Sequence, residues 1–230
     1  MNDFGTAERI AQIKAASDRL GALIAELTDE QAREATELPE WTRGHILAHL
    51  AGMGPAFARQ AEYALRGEQI AVYDRGPASR NGLIEANHDK PAQWLRDAFA
   101  QGSETLFAAW EKLGEEDWQL PSPYRGSLLA TQLSYWREVE LHAVDLGLGY
   151  RIDAVTDELA DHLLQFLAVR LPAGVAAVPG DGGPAIGDPQ ATVTVRGTRR
   201  ELAGWLSGRP AATAPTADGS AVLPEIGDWP

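Results

Sequence analysis

Apolar residues recur every three to four positions along four long stretches of the first 150 residues, the spacing of one helix face. The pattern predicts helices over residues 5–27, 42–66, 89–113 and 127–146, with a shorter helix near 79–86. Thr42 is expected to cap the second helix, and Asp89 to cap the third, with Pro91 in its first turn. Four long helices with mostly short connections predict a four-helix bundle.

The pattern changes after Tyr150. It predicts one more amphipathic helix over 156–170, a strand over 191–196, a helix over 198–208 and a last strand over 221–223. Residues 172–190 form a stretch rich in glycine and proline, which indicate turns. The expected fold is mainly α. A bundle domain spans residues 1–152, and a small α+β domain spans residues 153–230.

Charge and composition narrow the classes of partner. The formal net charge is −13, and an acidic surface repels nucleic-acid phosphates and anionic membranes. No stretch approaches the ~20 apolar residues that span a bilayer, and the first residues lack a signal-peptide pattern. We therefore expect a cytoplasmic protein with neither nucleic acid nor membrane as partner. The chain has no cysteine, so any thiol chemistry requires a thiol from outside it.

Two histidines four residues apart lie on the second predicted helix. At about 100° per residue, His49 falls beside the apolar stripe that includes Ile46, Leu50 and Met53. His45 falls further round the helix, toward solvent. His49 is therefore expected to point into the bundle more than His45 does. Taken alone, such a pair is more typical of capping or surface histidines.

A carboxylate and a histidine share one face of the fourth predicted helix. Glu138 and His142 are four residues apart, and Asp145 follows on the same face. This helix is apolar around most of its circumference, so it is expected to be central. A carboxylate there is costly unless it is paired or binds a cation. A Glu–His pair, or a glutamate met by an arginine, explains it equally well.

The two settings together are more informative than either alone. A bundle can bring the inward faces of its second and fourth helices together, which would place His49, Glu138 and His142 around one point. Two imidazoles and a carboxylate suit Zn²⁺ or a similar divalent ion. Three protein ligands leave one coordination position open, which is typical of a catalytic site. Asp145 would then orient His142.

At these residues the sequence resembles a known family. The segments LPEWTRGHILAHLAG and REVELHAVDLGLG, with Tyr73 and Arg80 between them, resemble the DinB-like metal-binding domain of mycothiol-dependent maleylpyruvate isomerases. The segments VTVRGTRRELAGWLSGRP and LPEIGDWP resemble the C-terminal domain of that family, which is related to sterol-carrier-protein folds. The resemblance covers nearly the whole chain, with one departure: residues 172–190 are rich in glycine and proline where the resemblance implies a strand.

The resemblance implies particular residue roles. It implies zinc ligands at His49, Glu138 and His142, and it places an arginine that the family needs at Arg209. We expect Arg209 to hold a substrate carboxylate, although a surface arginine in a helix-terminating turn explains it as well.

Two residues between the ligand segments are further candidates. Arg80 is the second candidate for a substrate carboxylate, against a salt bridge on the bundle surface. Tyr73 is expected to contact cofactor or substrate, against simple core packing.

The activity implied by the resemblance is the conversion of maleylpyruvate to fumarylpyruvate. It requires a divalent metal and mycothiol, so the expected partners are a small dicarboxylate substrate and a low-molecular-weight thiol. Two other functions stay open: a thiol S-transferase of the same superfamily, and a non-enzymatic module that binds a metal or a small ligand. The sequence leaves the metal, the exact thiol and the oligomeric state open.

Overall fold

A computed structural model describes residues 5–219 and 222–230, and divides the chain into two compact units. The first unit extends to Leu148, and the second begins at Gly149. Along these residues, every helix is too short or too polar to traverse a lipid bilayer.

The first unit is helical, as the periodicity predicts. The four long helices are present, with shorter elements between them. The elements are α1 (Thr6–Ile24), α2 (Asp29–Ala32), α3 (Arg43–Ala64), α4 (Pro77–Glu85), α5 (Ala92–Trp110), a 3-10 turn (Glu116–Gln119), β1 (Pro121–Ser122), β2 (Gly126–Ser127) and α6 (Leu128–Asp145). Strands β1 and β2 form a small antiparallel hairpin.

The ends of the helices follow from local hydrogen bonds. Thr42 is the N-cap of α3, as expected, and its hydroxyl accepts the backbone N–H of His45. The expected Asp89 cap is wrong, because α5 begins two residues later than that cap implies, with Pro91 at the N-cap. Proline offers no side-chain acceptor there. Asp29, at the start of α2, accepts the N–H of Ala92 instead, at 2.7 Å.

Helices α3 and α5 approach so closely that backbone touches backbone. A Cβ added to Gly54 would lie 2.3 Å from the carbonyl oxygen of Gly102. A Cβ added to Gly102 would lie 2.7 Å from the carbonyl oxygen of Ala51. Both distances are below any real Cβ contact, so only glycine fits at this crossing. The crossing fixes the part of α3 that directly follows His49.

The second unit packs two helices with a small sheet. Its elements are a 3-10 turn (Ile152–Ala154), α7 (Asp157–Leu167), a 3-10 turn (Ala168–Arg170), β3 (Val175–Pro179), β4 (Ile186–Gly187), β5 (Val193–Gly197), α8 (Arg199–Ser207) and β6 (Thr216–Ala217). The strand order is β4-β3-β5-β6; β3 and β5 are parallel, and the outer pairs are antiparallel. This mixed sheet agrees with the predicted small α+β region.

Three details of the second unit differ from the prediction. The glycine- and proline-rich stretch contains the parallel strand β3, whose residues alternate between buried and half-buried. The α-helix predicted to run to 170 changes to 3-10 after Leu167. The last strand is Thr216–Ala217; of the predicted 221–223, Ala221 lies outside the described residues, and Val222 and Leu223 are not in a strand.

Candidate metal centre

Three side chains from α3 and α6 converge in the first unit. The Nε2 atom of His49 lies 3.0 Å from Oε2 of Glu138, and the Nε2 atom of His142 lies 3.1 Å from the same oxygen. The three potential ligand atoms all lie within 4.8 Å of one another. Ligands about 2.0–2.1 Å from a tetrahedral ion are separated by about 3.3 Å, so small adjustments would let these atoms hold one cation.

The helix α6 positions two of these groups by its own periodicity. Glu138 and His142 are four residues apart, and their side chains meet on one helix face. One turn later, Asp145 accepts a hydrogen bond of 2.9 Å from Nδ1 of His142. In the charged ring the second proton, on Nε2, faces Glu138, and its loss would leave the Nε2 lone pair directed at a cation beside that carboxylate. Asp145 therefore holds the His142 ring in the tautomer and orientation that suit a metal ligand.

Contacts within the cluster shift the pKa values of all three side chains. Burial raises the pKa of the Glu138 carboxyl, but hydrogen bonds from His142 and His49 outweigh burial and hold that pKa well below its usual range. Burial opposes a charged His142, yet its bonds to Asp145 and Glu138 raise the pKa of His142 to about 9. Burial lowers the pKa of His49 despite its contact with Glu138. The cluster thus favours an ionised carboxylate beside one charged and one neutral ring.

Trp41 forms an aromatic wall for the histidines. Its ring stacks on His142 with centroids 6.0 Å apart and meets His49 edge-on at 5.7 Å. It also stacks on His45, at 6.2 Å. Residue 41 directly precedes the Thr42 N-cap, so the start of α3 fixes the indole. The sequence offered no signal for this contact beyond that position.

A pocket of about 530 Å³ opens beside the cluster, and Arg80 and Tyr73 both line it with His49 and Glu138. Its remaining walls are mostly apolar: Met53, Phe57, Ala71, Val72, Gly76, Pro77, Pro123 and Tyr124. The pocket thus joins a polar, charged end to a larger apolar body. This is the usual composition of a small-molecule site.

Arg80 extends from α4 to the cluster. Its Nη2 atom lies 3.2 Å from Nδ1 of His49 and 3.4 Å from Nε2. Among the described residues, Arg80 forms no ion pair, so the expected alternative of a surface salt bridge is not seen. A guanidinium can only donate hydrogen bonds, so this contact requires a lone pair on Nδ1 of His49.

The environment of Tyr73 is half-buried. Burial raises the pKa of its phenol, and the nearby Arg80 partly offsets this effect. The hydroxyl therefore stays protonated near neutral pH, as a donor at the edge of the pocket.

Comparison with known proteins assigns the chain to a family. Residues 13–147, more than half of the chain, match the mycothiol maleylpyruvate isomerase N-terminal domain. The chain belongs to this family. Its fold is similar to a crystal structure of the mycothiol-dependent maleylpyruvate isomerase, with a TM-score of 0.85 and 21% identity over 97% of this chain and 96% of that chain. A mutant of that isomerase, with one histidine replaced by alanine, gives a TM-score of 0.84. No curated protein sequence matches this chain.

The likeness to these structures establishes the fold of this family member. A mainly helical N-terminal region is followed by a small mixed sheet, and both the predicted fold class and the resemblance to this family are confirmed. The match to the family ends at residue 147, within the first unit. All three converging side chains therefore lie in the matched region.

Arg209 lies in the second unit, just after α8. Gly208 ends the helix in the left-handed conformation, with φ 73°. The Arg209 Nη1 atom donates a 2.7 Å hydrogen bond to the carbonyl of Ser207, and its guanidinium lies 5.6 Å from the centre of the Trp229 ring. These contacts hold the side chain in place. Its expected role toward substrate stays a prediction.

The side chain of His45 lies elsewhere than expected. His45 was predicted to point toward solvent, but its exposed fraction is only 8%. Its Nδ1 atom accepts the backbone N–H of Thr42 at 3.1 Å and completes the capping box of α3. Local capping chemistry turns the ring back along the helix start, which periodicity alone does not describe.

Proposed function

We propose that this chain is a divalent-metal- and mycothiol-dependent isomerase that converts maleylpyruvate to fumarylpyruvate. The observation that carries the proposal is the convergence of His49, Glu138 and His142 beside a pocket that also contains Arg80. The family to which the chain belongs, and the isomerase whose structure it resembles, suggest the reaction class. Zn²⁺ suits two imidazoles and a carboxylate, although other divalent ions fit the same donors.

The absence of cysteine agrees with a nucleophile from outside the chain. When bound, the thiol supplies a sulfur that adds to the conjugated cis double bond, leaves a single bond free to rotate, and is then eliminated to give the trans product. A bound divalent ion supplies a Lewis acid that lowers the pKa of the thiol and stabilises negative charge on an oxygen. The mostly apolar pocket walls keep water away from these charges.

Arg80 has a defined part in this proposal. If Nε2 of His49 binds the cation, the proton of the neutral ring must move to Nδ1. Arg80 only donates hydrogen bonds, so it can no longer face Nδ1, from which it now lies 3.2 Å away. The guanidinium is then available at the edge of the pocket for a substrate carboxylate, where a bidentate contact is strongest. Tyr73 is proposed to contact the cofactor or substrate beside it.

The proposal is tested by assaying the metal-loaded protein with maleylpyruvate in the presence and absence of mycothiol. We expect turnover only with the thiol. Equal turnover without thiol would reject a mechanism in which an external thiol is the nucleophile.

The same protein should be assayed with a generic apolar electrophile. The apolar pocket walls favour a thiol S-transferase as the second candidate function. Thiol consumption with the electrophile, and none of the isomerase product, would select the transferase. If neither compound reacts in a thiol-dependent way, the result would favour a non-enzymatic binding module.

Replacing Arg209 with alanine is expected to impair isomerisation about a hundredfold or more, because a charge-assisted contact to a carboxylate is lost. The metal content is expected to stay near that of the wild type, since Arg209 is not a ligand. Steady-state kinetics and elemental analysis measure the two quantities. Arg151, an exposed arginine of the second unit paired with Asp153, supplies a matched control. Full activity of the Arg209 variant would exclude its role.

Metal uptake is expected to release close to one proton per ion at pH 7. In the metal-free protein the pKa of His142 is raised to about 9, so its ring is protonated at pH 7 and must lose that proton to bind a cation. Glu138 and His49 have lowered pKa values and bring no proton. The apparent affinity should therefore rise about tenfold per pH unit up to about pH 9.

The proton count is measured by calorimetry in two buffers of different ionisation enthalpy. Replacing Asp145 with asparagine removes one cause of the raised pKa and should reduce the number of protons released. Binding heats that are equal in both buffers would contradict the expected proton release.

A further inference from the structure

A second group of metal-binding side chains lies outside the proposed centre. His45 at the start of α3, Glu85 at the end of α4 and His88 just beyond it offer ligand atoms within 4.8 Å of one another. Glu85 lies beside both rings, with one carboxylate oxygen 3.9 Å from Nε2 of His45 and the other 3.9 Å from Nε2 of His88. The two rings are stacked, with centroids 3.8 Å apart. Nothing in the proposed isomerase reaction uses this group.

Two of the three residues are held in place before any ion binds. His45 is buried, and its Nδ1 is fixed by the backbone N–H and the hydroxyl of Thr42, so Nε2 is the atom that faces the group. The backbone of His88 is fixed by Gly44, where an added Cβ would lie 2.0 Å from the His88 carbonyl oxygen. The turn after α4 is therefore seated against the first turn of α3. Backbone packing therefore places His88 next to His45, and this placement does not depend on the half-exposed side chain of His88.

We propose that His45, Glu85 and His88 form a second site for a divalent transition-metal ion such as Zn²⁺. Imidazole nitrogen and carboxylate oxygen are the donors that such ions accept, and the three residues leave an open position for water. The proposal does not depend on the isomerase activity. It requires only that these three side chains close around one ion.

The geometry also predicts the strength of this site. Ligand lone pairs lie in the ring planes, so the two stacked rings must tilt apart before both can face one ion. The exposed Glu85 carboxylate, 67% accessible, can move inward by rotation alone. Metal binding at Nε2 also moves the His45 proton to Nδ1, where Thr42 Oγ1 at 2.8 Å can accept it but the Thr42 N–H loses its acceptor. We expect binding at least about tenfold weaker than at His49, Glu138 and His142.

The position of the second site gives it a structural effect. Helix α4 carries Glu85 at one end and Arg80, which contacts His49, near the other. An ion held by Glu85 and by His45 of α3 would tie the end of α4 to the helix that carries His49. The second ion would therefore stabilise the wall of the pocket that Pro77 and Arg80 form.

The experiment is a Zn²⁺ titration of the metal-free full chain, followed by calorimetry and by the histidine C2–H signals in NMR spectra. We expect two equivalents, with the weaker one shifting the signals of His45 and His88. His88→Ala and Glu85→Gln should lose or weaken only the weaker equivalent, whereas His49→Ala should lose only the tighter one. His162→Ala, a histidine of the second unit that stacks on Phe166, is the matched control and should keep both.

Two results would overturn the second site. One is a single equivalent of Zn²⁺ in the wild type that His49→Ala abolishes. The other is a weaker equivalent that survives both His88→Ala and Glu85→Gln. Glu85 is mostly exposed, so its variant is expected to fold even if a histidine variant does not, and circular dichroism checks this. Loss of the tighter equivalent in His49→Ala is a separate result, so failure of the isomerase proposal and failure of the second site are distinguishable.

Discussion

The substitution His49→Ala is expected to abolish both tight metal binding and thiol-dependent isomerisation. The imidazole of His49 is one of only three protein donors at the proposed centre, and its Nε2 lies 3.0 Å from Glu138. Loss of a group that merely orients a ligand already lowers metal affinity about 10–100-fold, so loss of the ligand itself should exceed about a hundredfold. Elemental analysis of purified protein and a competition titration with a chelator measure the change.

The His49 result needs a control for the general effect of removing an imidazole. His162→Ala changes the same side chain in the second unit and should leave metal content and turnover unaltered. A His49 variant that retains stoichiometric tight metal would end the assignment of the centre. A variant that folds, loses the ion and yet isomerises maleylpyruvate would separate the metal from the reaction.

The Gly54→Ala variant is expected to be destabilised, although alanine is the better helix former. Helix propensity alone predicts a gain of about 1 kcal/mol. The added Cβ, however, would lie 2.3 Å from the carbonyl oxygen of Gly102 on α5, and a backbone atom cannot rotate away as a side chain can. We expect a net loss of about 2 kcal/mol or more in the free energy of unfolding, since overpacking against backbone outweighs propensity.

The same helix supplies the matched control for this prediction. Gly52 lies two residues earlier in α3, and an added Cβ there has nothing within 4 Å. Gly52→Ala is therefore expected to stabilise the protein by about 0.5–1 kcal/mol. Urea unfolding followed by circular dichroism compares the two variants. Equal shifts of the same sign would show that the α3–α5 crossing is looser than its distances indicate.

Hydrophobic periodicity was enough to predict the long helices and the helix faces on which the converging side chains lie. The four-residue spacing of Glu138 and His142 puts both on one face of α6, and the apolar stripe of α3 turns His49 inward. These are properties of single helices, so the sequence contains them. The strand β3 was not predicted, because VAAVP is short and lies among glycines and prolines that indicate turns.

The contacts made through α4 were beyond sequence reasoning. Among the residues of this short helix only Ile84 is buried, so its pattern does not say which face meets α3. The approach of Arg80 to His49 and of Glu85 to His45 depends on tertiary packing at Gly44 and His88. The burial of His45 likewise follows from a capping bond to Thr42 that competes with the orientation expected from periodicity.

The contact between Arg80 and His49 couples two ligands of opposite charge. In the ion-free protein the guanidinium is engaged with Nδ1, and a cation at Nε2 would force its release. If a bound cation frees Arg80 to bind an anion, the cation raises the affinity for that anion. Because thermodynamic linkage is reciprocal, the bound anion should raise the affinity for the cation by the same factor. Under the proposed function, copies of the protein that lack the ion would hold a dicarboxylate substrate poorly and would not sequester it unproductively.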